Sequence, residues 1–142
     1  MTLVSYPDKI MSGEKRASGF AALEDYDGYE FVFENGYSAR FEFKRDETRR
    51  GAHPYRYSLT LHSPNGRRLV GFDNAHPVQQ ASGRFKRLSK ASDHWHRDAA
   101  DKGRPYDFKS PEILLEDFFC EVERVLRELS VNAKALSLRK RR

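Results

Sequence analysis

The sequence has one cysteine and one tryptophan among 142 residues, and no apolar run approaches the roughly 18 residues of a membrane span. The lone thiol, Cys120, cannot bridge within its own chain, so stability has to come from a packed core. A chain of this length can build one unaided. An unpaired thiol fits a reducing compartment. The opening stretch MTLVSYPDKIMSGEKR lacks the basic-then-apolar order of a secretory signal. A single cytoplasmic domain with no membrane attachment is expected. The nine glycines are scattered, which leaves no phosphate loop, dinucleotide fingerprint or serine elbow. ATP-driven and hydride-transfer chemistry are therefore disfavoured, and no cofactor is expected.

Charge is present in excess and unevenly. The net +5 divides into −2 over residues 1–50, +6 over residues 51–110 and +1 over the remainder, where the terminal RKRR masks an acidic segment. A basic middle favours a polyanion such as RNA, or an acidic protein partner.

Between Tyr29 and Asp73 the pattern is that of strands. In YEFVFENGYSARFEF the aromatics Tyr29, Phe31, Phe33, Tyr37, Phe41 and Phe43 alternate about Asn35-Gly36, the dipeptide that suits a type I′ hairpin turn. YRYSLTLH repeats the alternation, SPNG turns the chain, and RRLVGFD supplies a fourth strand with Val70 and Phe72 inward. SPEILLEDFFCEVERVLREL then reads as a helix, with Ser110 as N-cap and Pro111 at its first position. Its apolar stripe is Leu115, Phe118, Phe119, Val122, Val125, Leu126 and Leu129. The expected fold class is α+β: an antiparallel β-meander of four or more strands, covered on one face by a C-terminal amphipathic helix. Residues 1–142 form a single domain in this reading, and the basic tail at 130–142 is expected to fray. PYDF is a possible further strand.

If the apolar positions face the helix, the other face of the sheet carries Arg40, Glu42, Lys44, Arg56, Ser58, Thr60 and His62. That set suits phosphates, or simply a solvated surface. Residues 71–108 are the less ordinary stretch. They contain three of the five histidines and seven Lys/Arg between positions 84 and 104, yet little core periodicity. In DHWHR, extended chain puts His94 and His96 on one side and Trp95, an anchor, on the other. Asp73 and His76 reach the same place if the intervening loop folds back. Three chemistries fit. His-x-His with Asp73 and His76 could ligate a metal ion, although no Cys pair and no H-E-x-x-H accompanies it. Metal-independent RNA cleavage needs a base, an acid and cations, and histidine titrates in the right range for either proton transfer. The third possibility is structural, with each histidine holding a loop by a backbone hydrogen bond.

GFDNAHPV, DHWHR, GRPYDF and LLEDFFCEVERVL, in that order between about Tyr57 and Glu128, resemble the TumE toxin family of bacterial toxin–antitoxin systems. The resemblance implies a small cytoplasmic toxin whose cognate antitoxin is a helix-turn-helix DNA-binding protein. It carries over the motif positions Asp73, Asn74, His76, His94, His96, Arg97, Arg104 and Tyr106. The stretch PVQQASGRFKRLSKAS is longer than in relatives with a compact loop, so the position of His94 relative to Asp73 is open.

The leading expectation is a ribonuclease-like toxin acting on RNA or the translation machinery. His94, His96, His76, Asp73 and Arg97 are its candidate catalytic residues. Arg84, Lys86, Arg87, Lys90, Arg104, Tyr106 and Asn74 are its candidate binding residues, and no metal ligand is assigned. The alternatives are a non-catalytic module that grips nucleic acid or protein, and a metal-dependent hydrolase. Oligomeric state is left open.

Overall fold

The computed structural model describes residues 23–49, 51, 53–74 and 93–141. They form an α+β fold: one open antiparallel sheet of seven strands and one long helix. The strands are β1 (Tyr29–Val32), β2 (Ser38–Arg45), β3 (Tyr55–His62), β4 (Arg68–Asp73), β5 (His94–His96), β6 (Arg104–Pro105) and β7 (Ser137–Lys140). Helix α1 spans Pro111–Glu128. Across the sheet the order is β6-β5-β4-β3-β2-β1-β7, a six-strand meander closed off by the chain's return after α1.

Local chemistry explains the turns and the cap. Asn35 (φ 64°) and Gly36 (φ 86°) both take the positive φ that a type I′ hairpin demands, in a single 3-10 turn between β1 and β2. At the start of α1 the Ser110 hydroxyl accepts the Ile113 N–H at 3.1 Å, and Pro111 occupies the first turn, where its missing N–H is not needed. Ser110→Ala should lower stability by about 1 kcal/mol. Urea unfolding checks this, as a shift in midpoint at constant slope.

One face of the sheet meets α1. Phe31, Phe41, Phe43, Tyr57, Leu59, Leu61, Val70 and Phe72 are buried against Leu114, Leu115, Phe118, Phe119, Val122 and Leu126. The rings interlock: Phe31 stacks on Phe119 at 5.6 Å, and Phe118 meets Phe41 edge-on at 5.7 Å. Trp95 is the anchor expected of it, stacked on Phe72 at 5.3 Å. Leu129 departs from the expected stripe. It is the C-cap, 45 % exposed, because the helix ends at Glu128 and the chain turns away through Ser130 at φ 60°. Leu114 joins the core instead.

The C-terminal segment, expected to fray, carries the last strand of the sheet. Residues 137–140 are β7, paired antiparallel with β1 from Tyr29↔Lys140 to Val32↔Ser137. Leu138 packs against the core, and Arg139 Nε donates to Glu30 at 2.6 Å. Hydrogen bonds from Leu136 N–H to the Val32 carbonyl and from Arg141 N–H to the Gly28 carbonyl bracket the strand. β1 would otherwise leave a row of unpaired backbone groups at the sheet edge.

Candidate functional site

The face of the sheet away from α1 is polar, and the register orders it into rows. One row runs His96–Gly71–Thr60–Arg40–Glu30–Arg139 across β5, β4, β3, β2, β1 and β7, each residue directly opposite the next. The neighbouring row is His94–Asp73–Ser58–Glu42. Residues directly opposite in a ladder share a face, so two histidines of β5, Asp73 of β4 and the hydroxyls of β3 form one surface. The pairing of β5 with β4 therefore sets His94 opposite Asp73. Both are buried, at 3 % and 7 % exposure, and both are engaged in contacts.

A β-bulge adds the next member. Leu61 pairs with Val70, but His62 pairs with Arg68, leaving Leu69 as the extra residue. The bulge turns Arg68 out of the alternation that would point it toward α1 and onto the polar face. Its side chain lies across Gly71: a Cβ built there would stand 3.2 Å from Arg68 Cδ and 3.5 Å from Thr60 Cγ2. Gly71 thus leaves room for the Arg68 stem in a floor where any side chain would crowd it.

The histidines of this face differ in what their ring nitrogens do. His62 donates from Nδ1 to the Gly66 carbonyl at 3.2 Å and accepts at Nε2 from the Thr60 hydroxyl at 3.0 Å. His96 donates from Nδ1 to the Asp101 carbonyl at 2.8 Å, which fixes the tautomer and puts the lone pair on Nε2. Among the described residues none donates to that Nε2. The loop holding Asp101 is itself tied down, since its carboxylate accepts the N–H of Arg97 at 2.9 Å, the N–H of Gly103 at 2.9 Å and Arg104 Nε at 2.7 Å. The His94 and His96 rings lie 5.2 Å apart, nearly perpendicular.

Burial is the main influence lowering the affinity of His96 and His62 for protons. Arg68 pushes both further the same way, with Arg40 and Arg141 adding to the effect on His62 and His94 to that on His96. A histidine whose folded pKa lies below its unfolded value makes the unfolded state the better proton binder. The stability it contributes is present above the unfolded value, about 6.5, and is lost as pH falls from there through the lowered folded value. Thermal melts should therefore show the midpoint falling between pH 7.5 and pH 5, with a shallower fall in His62→Gln.

Among the described residues, the expected site residues Asn74, Arg104 and Tyr106 lie off this face. Asn74 is 1 % exposed and extends the ladder past β4: its Oδ1 accepts the Tyr57 N–H at 2.9 Å and its Nδ2 donates to the Tyr55 carbonyl at 2.8 Å. Arg104, opposite Trp95 in the ladder, lies over that ring on the helix side at 5.4 Å and is ion-paired to Asp101. Tyr106 donates to Asp117 at 2.6 Å and meets Phe72 edge-on, and burial together with Asp117 drives its pKa upward. Arg97 is exposed, its carbonyl accepting from Arg124 at 2.7 Å. His76, Arg84, Lys86, Arg87 and Lys90 lie outside the described residues.

A second polar cluster had no legible signal in the sequence. His53 Nε2 donates to Asp93 at 2.9 Å, Tyr57 donates to the same Asp93 oxygen at 2.6 Å, and Arg49 stands 3.8 Å away. His53 also accepts the Tyr55 N–H at Nδ1 and stacks on Phe108 at 3.8 Å. Both its nitrogens are therefore committed, and the cluster fastens the start of β5 to β3. A lone histidine in the loop RDETRRGAHP gave no hint of a partner 40 positions away. Among the described residues no three His, Cys, Asp or Glu side chains are grouped as metal ligands, and no helix is long and apolar enough to cross a membrane.

A family model described as Toxin TumE matches residues 19–126, which takes in β1 to β6, most of α1 and both histidines of β5, but not β7. No curated protein and no solved structure matches the chain.

Proposed function

The chain belongs to the TumE toxin family and is the toxin of a toxin–antitoxin pair; from that premise we propose that it acts on RNA as a metal-independent endoribonuclease, with its site on the polar face of the sheet. The observation carrying this reading is His96, whose Nδ1–H is held by the Asp101 carbonyl so that Nε2 is left as a base. Its lowered proton affinity keeps the imidazole neutral, and so able to accept a proton, at physiological pH.

In the proposed step, His96 Nε2 takes the proton of a ribose 2′-hydroxyl. The 2′-oxygen bonds to the adjacent phosphorus while the bond from phosphorus to the 5′-oxygen breaks. The leaving oxygen takes its proton from His94, which stands opposite Asp73 in the ladder, giving a 2′,3′-cyclic phosphate and a 5′-hydroxyl. Positive charge on the face steadies the phosphoryl oxygens. The expected antitoxin, a helix-turn-helix protein, would neutralise the toxin by laying acidic groups over this face.

The test is cleavage of RNA, free and on ribosomes, by purified protein beside His96→Ala, with and without EDTA. Cleavage that survives EDTA and disappears in the variant supports the reading. Loss with EDTA moves the chemistry to a metal ion. No cleavage by the wild-type protein on either substrate leaves a toxin that acts by binding.

A further inference from the structure

Arginine in a folded protein ordinarily has an acceptor for its donors, because an unpaired buried donor costs about 1–3 kcal/mol, and more when charged. Two arginines of the polar face break that rule. The Nε atoms of Arg40 and Arg68 are both shut off from solvent and have no hydrogen-bond partner. For Arg40, the nearest carboxylate oxygen, on Glu30, is 3.6 Å from Nε, and Glu30 is already bonded at 2.6 Å by Arg139. Arg68 makes no ion pair and no hydrogen bond among the described residues. A bulge was needed to bring it to this face at all. It lies over Gly71 and against Thr60, and Thr60 is directly opposite Arg40. Thr60 therefore stands between Arg40, opposite it on β2, and Gly71, over which the Arg68 stem lies, with His96 at the end of the same row.

We propose that Arg68 and Arg40 form an oxyanion subsite over Thr60 and Gly71, beside His96, and that its ligand is a phosphate group of a polynucleotide backbone. A tetrahedral oxyanion supplies several acceptors at once, so one group can take donors from both side chains, and guanidinium is the side chain best matched to it. That the phosphate belongs to RNA rests on the function proposed above; the subsite itself does not. Next to His96, a bound phosphate stands where the base would need its ribose neighbour.

The experiment titrates the whole protein with inorganic phosphate, and separately with sodium chloride at matched ionic strength, following the imidazole signals of His96 and His62 by NMR. Phosphate is expected to shift both sets of signals saturably, while chloride does not. Arg68→Gln should weaken the response at least about tenfold, or 1.4 kcal/mol, with Arg40→Gln weakened less and Arg68→Lys between. In the absence of phosphate, Arg68→Gln should also raise the His96 titration midpoint, while Arg68→Lys, which keeps the positive charge, should leave it near the wild-type value. An equal response in wild type and Arg68→Gln, or phosphate acting no differently from chloride, overturns the subsite. If Arg68→Gln fails to fold by circular dichroism, Arg40→Gln and Arg68→Lys decide by the same readout. Phosphate binding lost in the variants of a protein that never cleaves RNA would sink the ribonuclease reading and leave the subsite standing. RNA cleaved equally well by wild type and Arg68→Gln, with phosphate bound by neither, would do the reverse.

Discussion

His96→Ala is expected to lower the rate of RNA cleavage about 10²–10⁴-fold, the range that a positioned base contributes, with a stability loss of about 1–3 kcal/mol as the Asp101 carbonyl loses its donor. The discriminating comparison is with the other described histidines whose ring nitrogens are accounted for. His62 spends both nitrogens on Gly66 and Thr60, and His53 spends both on Tyr55 and Asp93. Neither has a lone pair left for substrate. His62→Gln should therefore keep most of the activity, and His53→Gln should lose stability first, because Asp93 would be left with a weaker partner. His96→Asn tests the role of Nδ1, since it can still donate to the Asp101 carbonyl but cannot act as a base. Activity in His96→Asn close to wild type would end the assignment of His96 as proton acceptor. The pH profile adds a second check. With a base whose proton affinity is lowered by burial, Arg68 and His94, the acidic limb of the rate should lie below the ordinary histidine value.

Phe118→Ala is expected to cost about 3–5 kcal/mol, the largest stability loss from any single change considered. Phe118 is fully buried and joins three parts of the core: Phe41 of β2 edge-on at 5.7 Å, Phe72 of β4 edge-on at 6.1 Å and its helix neighbour Phe119 at 5.5 Å. The adjoining rings sit on a sheet and a helix already fixed by their own hydrogen bonds, so the cavity has little means of closing. Against a total stability of about 5–15 kcal/mol, such a loss leaves a protein that is marginal at 37 °C. Urea unfolding measures it. A loss under ~1 kcal/mol would mean that α1 is held to the sheet mainly elsewhere. Because Phe72 stacks on Trp95, whose neighbours are His94 and His96, partial loss of activity should accompany the loss of stability.

Much of the fold was legible because it rests on short-range rules. Alternation from Tyr29 to Phe43 and from Tyr55 to Leu61 fixed which side chains face the helix, Asn35-Gly36 fixed the first hairpin, and Ser110-Pro111 fixed the start of α1. The same alternation placed Arg40, Ser58, Thr60 and His62 together on the opposite face, and put His94 and His96 on one side of β5. β7 was not legible. SLRK carries one apolar residue in four, and a strand so short exists only because β1 offers it an edge and Glu30 offers Arg139 a carboxylate. Arg104 and Tyr106 looked like site residues from their motif, but the pairing of β6 with β5 sends Arg104 to the Trp95 side, and Tyr106 is spent on Asp117.

By itself the sequence determined the class of fold, the two faces of the sheet and the family, since periodicity and motif order are properties of neighbouring residues. Tertiary structure alone decided which polar groups meet. The bulge at Leu61/His62 adds one residue to β4, which no pattern of hydrophobicity announces, and so moves Arg68 from the side that alternation predicts to the side where His96 stands. The Asp101 carbonyl selects the tautomer of His96 across a loop, and an imidazole's tautomer is set by the partner its other nitrogen finds.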